Sequence, residues 1–214
     1  MKPFTFPRWA NKTRQLLAVG LGGAPVYLTA FVWYGFSPKT TDTGYQPQQP
    51  LPYSHAMHAG QLGMDCRYCH NTVEVAAQAA TPPTETCMNC HARVRATSPR
   101  LELVRESIQT GKPIKWVKVH DLPDYVYFNH SAHVTRGVGC VSCHGRIDQM
   151  DVVYQVQPLS MGWCLTCHRA PEPSLRPPSE VTNMTWTPPS PTFGQEFRKQ
   201  NNINPPEDCS GCHR

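Results

Sequence analysis

The chain has 214 residues, among them 22 Pro, 14 Gly, 10 Cys and 10 His. Ile, Leu, Val and Phe are too sparse for an ordinary aliphatic core, so some other apolar material must hold the fold together. A formal charge of +5 would suit an acidic partner or an anionic membrane surface if the polypeptide were the whole molecule.

Residues 1–15 contain Lys2, Arg8, Lys12 and Arg14 and no acid. From Leu16 to Phe36 there is no charged residue, and this run spans roughly 31 Å as a helix, the thickness of a bilayer's hydrocarbon layer. A cleaved signal peptide would also begin with basic residues and an apolar run. Its core would be shorter, and no convincing Ala-x-Ala site follows here. The run ends instead in Trp33 and Tyr34, side chains suited to a membrane interface. The reading is a retained transmembrane helix over 16–37. Pro25 with Gly20, Gly22 and Gly23 should kink or loosen it, or let a neighbouring helix approach closely. Positive charge before the span predicts a cytoplasmic N-terminus at 1–15 and everything beyond residue 37 on the outer, periplasmic side of a bacterial cytoplasmic membrane.

Residues 38–52 are Pro-rich and lack periodicity, which predicts an extended linker. From Tyr53 onward, over 53–214, one pattern recurs. All ten cysteines fall into five Cys-x-x-Cys-His motifs: Cys66/Cys69/His70, Cys87/Cys90/His91, Cys140/Cys143/His144, Cys164/Cys167/His168 and Cys209/Cys212/His213. Each has the attachment spacing of a c-type haem. Two thiols add across the porphyrin vinyl groups, and the adjacent imidazole reaches the iron. Zinc ribbons pool four ligands from two pairs, and redox disulfides need only the thiols. Neither explains a histidine after every second cysteine. Five covalent haems would bring ten propionates, making the loaded molecule acidic, so the formal charge does not imply a nucleic-acid partner.

The five motifs are embedded in a repeat. Tyr53-Ser-His55-Ala-Met-His58 precedes the first two motifs, and Phe128-Asn-His130-Ser-Ala-His133 precedes the next two. Histidines three apart share one helical face, roughly 5–6 Å between Cβ atoms, so a single turn can serve two stacked haems. His55, His58, His130 and His133 are therefore candidate distal ligands. His120, in Lys118-Val-His-Asp-Leu-Pro-Asp124, is the fifth spare histidine and the candidate for the fifth iron. Its competitors are methionines, with Met161 first, then Met150, Met57, Met64 and Met184. Short helices are predicted around each motif, around Arg100–Gln109 and around Phe193–Gln200, with a strand at Val152–Val156. The stretch from Ala170 to Asp208 is Pro-rich and should wrap rather than fold into regular structure. The fold class is mostly irregular with short α-helices, a multihaem cytochrome c domain organised around five haems, plus one N-terminal transmembrane helix.

The aromatic-x-His-x-x-His element before Cys-x-x-Cys-His resembles class III and c7-type multihaem cytochromes, in which haems replace the aliphatic core. The stretch Trp116–Arg169, with Val-His-Asp-Leu-Pro-Asp-Tyr-Val-Tyr-Phe-Asn-His-Ser-Ala-His and Met161-Gly-Trp-Cys-Leu-Thr-Cys-His-Arg, resembles the pentahaem cytochrome subunit of bacterial alternative complex III. That resemblance implies an electron-transfer subunit of a quinol-oxidising complex. Its partners would be an iron–sulfur protein, a quinol-site membrane subunit and a monohaem cytochrome c, and its acceptor a cytochrome c, a copper protein or an oxidase. A stand-alone quinol dehydrogenase of the anchored type usually has four haems. A multihaem reductase needs an open iron and often a Lys in place of the motif His, and no motif here departs from His.

Overall fold

A computed structural model describes residues 5–35 and 42–213. Residues 1–4 of the basic N-terminus, Phe36 and Ser37 at the end of the expected span, and residues 38–41 of the expected linker lie outside the described residues. The chain divides into two units, Met1–Thr41 and Asp42–Arg214.

In the first unit a 3-10 turn at Arg8–Lys12 leads into helix α1, Thr13–Gly35. Together they make a continuous helical stretch of 28 residues with no buried side chain, whose most apolar 18-residue window has mean hydropathy 1.7, long and apolar enough to cross a bilayer. Pro25 lies inside α1, where it removes one N–H from the helical ladder.

The second unit is helical, and among the described residues it has no strand. Its α-helices are short: α2 (Cys66–Cys69), α3 (Thr84–His91), α4 (Glu102–Thr110), α5 (His130–Val134), α6 (Cys140–His144), α7 (Met161–Arg169) and α8 (Phe193–Gln200). A π-helical turn covers Ala56–Gln61, and a 3-10 turn covers Cys209–Gly211. Several begin at a side-chain cap. Asp65, Asn129, Ser160 and Asp208 accept from the backbone N–H of Arg67, Ala132, Trp163 and Gly211, which fixes where each histidine- or cysteine-bearing turn starts.

The strand expected at Val152–Val156 does not form. Gln155 instead exchanges two backbone bonds with the 42–52 segment, giving its N–H to Tyr45 and taking that of Gly44. The pairing extends no further because the ladder is not continued on either side. Gln49 adds side-chain bonds to both the N–H and C=O of Val117, and Leu51 is buried. Residues 42–52 thus run along the haem-motif unit.

The two sequence halves interlock through backbone bonds. The N–H groups of His130 and Ser131 reach the carbonyls of Ala77 and Ala76, in the loop after the first motif. The chain end is tied in by a Val126–His213 bridge and by Tyr127 N–H to Cys212. Only seven apolar side chains among the described residues are buried: Leu51, Val104, Val134, Met150, Leu175, Val181 and Ile203. At about 1.5–3 kcal/mol for each buried side chain, so few cannot offset the ordering of a domain this long. The histidines and most of the cysteines are half-buried.

Candidate haem-binding site

The ten histidines are the most consistently held side chains in the unit. In seven of them Nδ1 lies 2.6–3.0 Å from a backbone carbonyl oxygen: His58 at Ser54, His70 at Ala80, His91 at Val94, His130 at Ala77, His133 at Asn129, His168 at Pro206 and His213 at Tyr125. A carbonyl can only accept, so it selects the tautomer with the proton on Nδ1. Nε2 is left with a free lone pair, the arrangement of a metal-binding imidazole oriented by a second partner.

The two His-x-x-His turns repeat one geometry. Tyr53 stacks on His58 with centroids 4.5 Å apart and meets His55 edge-on at 4.9 Å. Phe128 stacks on His133 at 4.6 Å and meets His130 edge-on at 4.7 Å. One aromatic ring therefore orients both imidazoles of each turn, one by its face and the other at a near-right angle.

Three imidazole pairs have matching spacings. Ring centroids are 6.2 Å apart for His58 and His91, 6.2 Å for His133 and His168, and 6.5 Å for His130 and His144. Two imidazoles on opposite faces of one metal, with metal–nitrogen bonds of about 2.0–2.1 Å, put their ring centres about 6 Å apart. His120 has a different relation. Its ring meets that of His144 edge-on at 4.5 Å, too close for the two to flank one iron. The ring contact of His213 is with Tyr125, 5.8 Å away.

Burial keeps several of these rings neutral. It is the leading cause that pushes His144 down to about 3, with the neighbouring His120 and His130 adding to it. It likewise brings His55 to about 4, with His70 as the first charged neighbour, and lowers His120 and His133. Neutral imidazole is the form that binds a metal. His120 Nε2, His55 Nδ1 and His144 Nδ1 are buried with no hydrogen-bond partner. An unbonded buried Nε2 fits an atom that bonds to iron.

The ten cysteines form no disulfide with one another. Cys66 and Cys140 lie close enough for each to act on the other, which raises the Cys66 thiol and lowers that of Cys140. Cys69 lies within electrostatic reach of Cys87, Cys143 of Cys167 and Cys164, and Cys164 of Cys212. The row runs from the Cys87 motif to those at Cys66, Cys140, Cys164 and Cys209. Among the described residues no group of three or more His, Cys, Asp or Glu converges as a bare metal ion requires. The residues therefore fit haem, whose porphyrin supplies four ligands of its own, and do not fit a zinc ribbon.

Two of the expected haem-attaching thiols differ from the rest. Cys90 and Cys209 are exposed, whereas the other eight cysteines are half-buried, so the polypeptide does not enclose all five motifs equally. Cys90 ends the second Cys-x-x-Cys on α3, directly before His91. Its assignment rests on that spacing and on the pairing of His91 with His58, and the surrounding chain adds no enclosure of its own.

Of the methionines weighed against His120, Met161 is 66% exposed and Met150 is buried. Sequence reasoning missed Arg176, a buried cation beside Cys140; nothing in its Pro-flanked context sets it apart from a surface arginine.

Comparisons with known proteins lead to multihaem cytochromes c. The menaquinone reductase multihaem cytochrome c subunit of Nitratidesulfovibrio vulgaris strain Hildenborough is 33% identical over 140 residues. The matched region covers 63% of this chain and 64% of that protein, so the chain spans less than two thirds of the relative's length. Residues 126–214, from the second half of the repeat to the fifth motif, match the family described as cytochrome c7 and related cytochrome c.

Proposed function

We propose that the chain is a membrane-anchored cytochrome c with five covalent haems that relays electrons within a quinol-linked membrane complex of the alternative complex III type. The observation that carries this reading is the set of three imidazole pairs at 6.2–6.5 Å, each joining a motif histidine to a histidine of a His-x-x-His turn. A haem held by two thioethers and two imidazoles supplies reversible one-electron exchange and leaves no coordination position open to substrate.

In this reading the ten cysteines hold the porphyrins, and His70, His91, His144, His168 and His213 are the proximal ligands. His58 is the distal partner of His91, His130 of His144 and His133 of His168. By the symmetry of the two halves, His55 serves His70, which lies within electrostatic reach of it. His120 is left for His213. It opens the loop whose Tyr125 carbonyl faces Nδ1 of His213, and its own Nε2 is buried and unbonded. Met161, the competitor, sits on α7 three residues before Cys164 and is largely exposed. The relay order follows the row of thiols rather than the sequence: second motif, first, third, fourth, fifth. The exposed Cys90 and Cys209 then mark the two ends at which electrons would enter and leave.

The partners are an iron–sulfur protein, a quinol-site membrane subunit and a monohaem cytochrome c, with a cytochrome c, copper protein or oxidase as acceptor. The span from Leu16 to Phe36 holds no acid or histidine to take quinol protons, so quinol chemistry is assigned to a neighbouring subunit. The purified chain should exchange electrons rapidly with artificial donors yet oxidise quinol only once its partner subunits are restored. Quinol oxidation by the chain alone, at the rate of the membrane, would contradict this and favour a stand-alone quinol dehydrogenase.

The basic residues before α1 favour an N-terminus in the cytoplasm and the haem domain on the periplasmic side. Protease added to sealed right-side-out vesicles should cut beyond Pro38 and spare the first 15 residues, and protection of the haem domain would reverse the orientation. A second reading concerns direction. The relative's name is that of a menaquinone reductase subunit, and electron flow toward quinone would be the reverse of the direction proposed above. Net reoxidation of the reduced complex by menaquinone, with no reduction by menaquinol, would select that direction.

A further inference from the structure

Arg176 is 4% exposed, and its Nε is buried without a hydrogen-bond partner. The guanidinium donates through one Nη to the carbonyl of Asn183 at 2.9 Å and lies 5.1 Å from the centre of the Trp186 ring. Among the described residues no carboxylate comes within ion-pair distance of it. Glu180 acts on it electrostatically from beyond ion-pair distance. A buried cation with no ion pair carries a large desolvation cost, and a distant carboxylate, one carbonyl and one ring face are modest compensation.

The surrounding chain is shaped around this charge. At Gly139, immediately before Cys140, an added Cβ would lie 2.2 Å from both Cζ and Nε of Arg176. At Gly137, whose φ is +83°, it would lie 2.1 Å from the Arg176 carbonyl oxygen. The Val138–Leu175 bridge and the bond from Arg176 N–H to the Gly137 carbonyl hold the two segments in register. Gly139 therefore lets a guanidinium rest against the backbone that presents the third motif, where any larger residue would push it away.

We propose that Arg176 is a fixed cation that poises the haem attached through Cys140 and Cys143 at a higher reduction potential than a neutral side chain there would allow. The inference rests on the haem assignment above. Reduction adds one electron to the iron and lowers the positive charge at the site by one, so a nearby cation held in a low-dielectric setting favours the reduced form. The third motif is the middle member of the thiol row, and a raised potential there would draw electrons from the first half of the domain into the second. Arg176 is a positioning and tuning residue and does not bond to the iron.

The test is a spectroelectrochemical titration of the intact haem-loaded protein. Arg176→Gln should move one of the haem transitions to lower potential by at least a tenfold change in its reduction equilibrium, about 59 mV for a one-electron couple. The other transitions should keep their order. Arg176→Lys should retain most of the wild-type value, and Trp186→Leu, which leaves the charge in place, should change it little. Equal shifts in Arg176→Gln and Trp186→Leu, or none in either, would overturn the proposal in favour of a packing role. Should the glutamine variant fail to incorporate haem, Gly139→Ala, which displaces the guanidinium, should produce the same downward shift, and an unchanged titration would be equally fatal. Peptide mapping of haem on Cys140 and Cys143 is the separate readout for the assignment beneath it. No haem there would defeat that assignment, whereas haem present with an unmoved potential would defeat the role of Arg176 alone.

Discussion

At the scale of single residues, an imidazole becomes a metal ligand when its other nitrogen is occupied. Seven of the ten histidines meet that condition through a backbone carbonyl. Replacing His58 or His133 by Ala should therefore remove one distal ligand each and convert one haem from low to high spin, read by electron paramagnetic resonance on the loaded protein. A low-spin spectrum unchanged in both variants would contradict the pairing with His91 and His168. The Cys-x-x-Cys-His motifs and the His-x-x-His turns were legible in the sequence because each is a local pattern. The open setting of Cys90 was not, since local spacing says nothing about how much chain packs around a motif. The carbonyl partners of the histidines were also hidden, because Ala77 is 53 residues from His130 and Pro206 is 38 from His168. The edge-on contact of His120 with His144 was equally so, because no spacing rule governs a lone histidine in a loop.

At the scale of elements, the motif helices are too short to persist by propensity, so their caps matter. Asp65 accepts from the N–H of Arg67, pairs with the Arg67 guanidinium at 2.9 Å, and takes the Thr182 hydroxyl from the C-terminal segment. The Arg67 side-chain bond is the main reason its carboxyl falls to about 2. Asp65→Ala should cost about 1 kcal/mol, lowering Tm by roughly 2–4 °C near neutral pH. Because the folded value lies below the ordinary one of about 3.9, the stabilisation is fully present above about pH 4 and is lost as pH falls toward 2. The gap in melting temperature between wild type and variant should close over that interval, and a gap independent of pH would rule out the charged cap. Helix positions follow from such local signals: α8 occupies the predicted Phe193–Gln200, and α4 covers Glu102–Thr110, close to the predicted Arg100–Gln109. Val152–Val156 misled because its β-branched and aromatic residues suit a strand, yet the 42–52 segment pairs with it only around Gln155.

At the scale of the whole molecule, a domain with seven buried apolar side chains among its described residues has too little core of its own. In the proposed reading, five porphyrins lined by Tyr53, Phe128 and ten imidazoles would supply the missing apolar surface; the shortage of aliphatic residues itself was legible in the composition. The imidazole pairs were not legible, because they arise only when the two halves interlock at Ala76–Ala77. The central claim is that every motif carries a covalent haem. The most direct measurement is the intact mass of the denatured chain, purified from cells able to attach c-type haem, together with peptide mapping of each Cys-x-x-Cys-His site. The account predicts a mass increment of five haems per chain with all ten cysteines, the exposed Cys90 included, as thioethers. An increment of four or fewer, or free thiols with stoichiometric zinc, would contradict it.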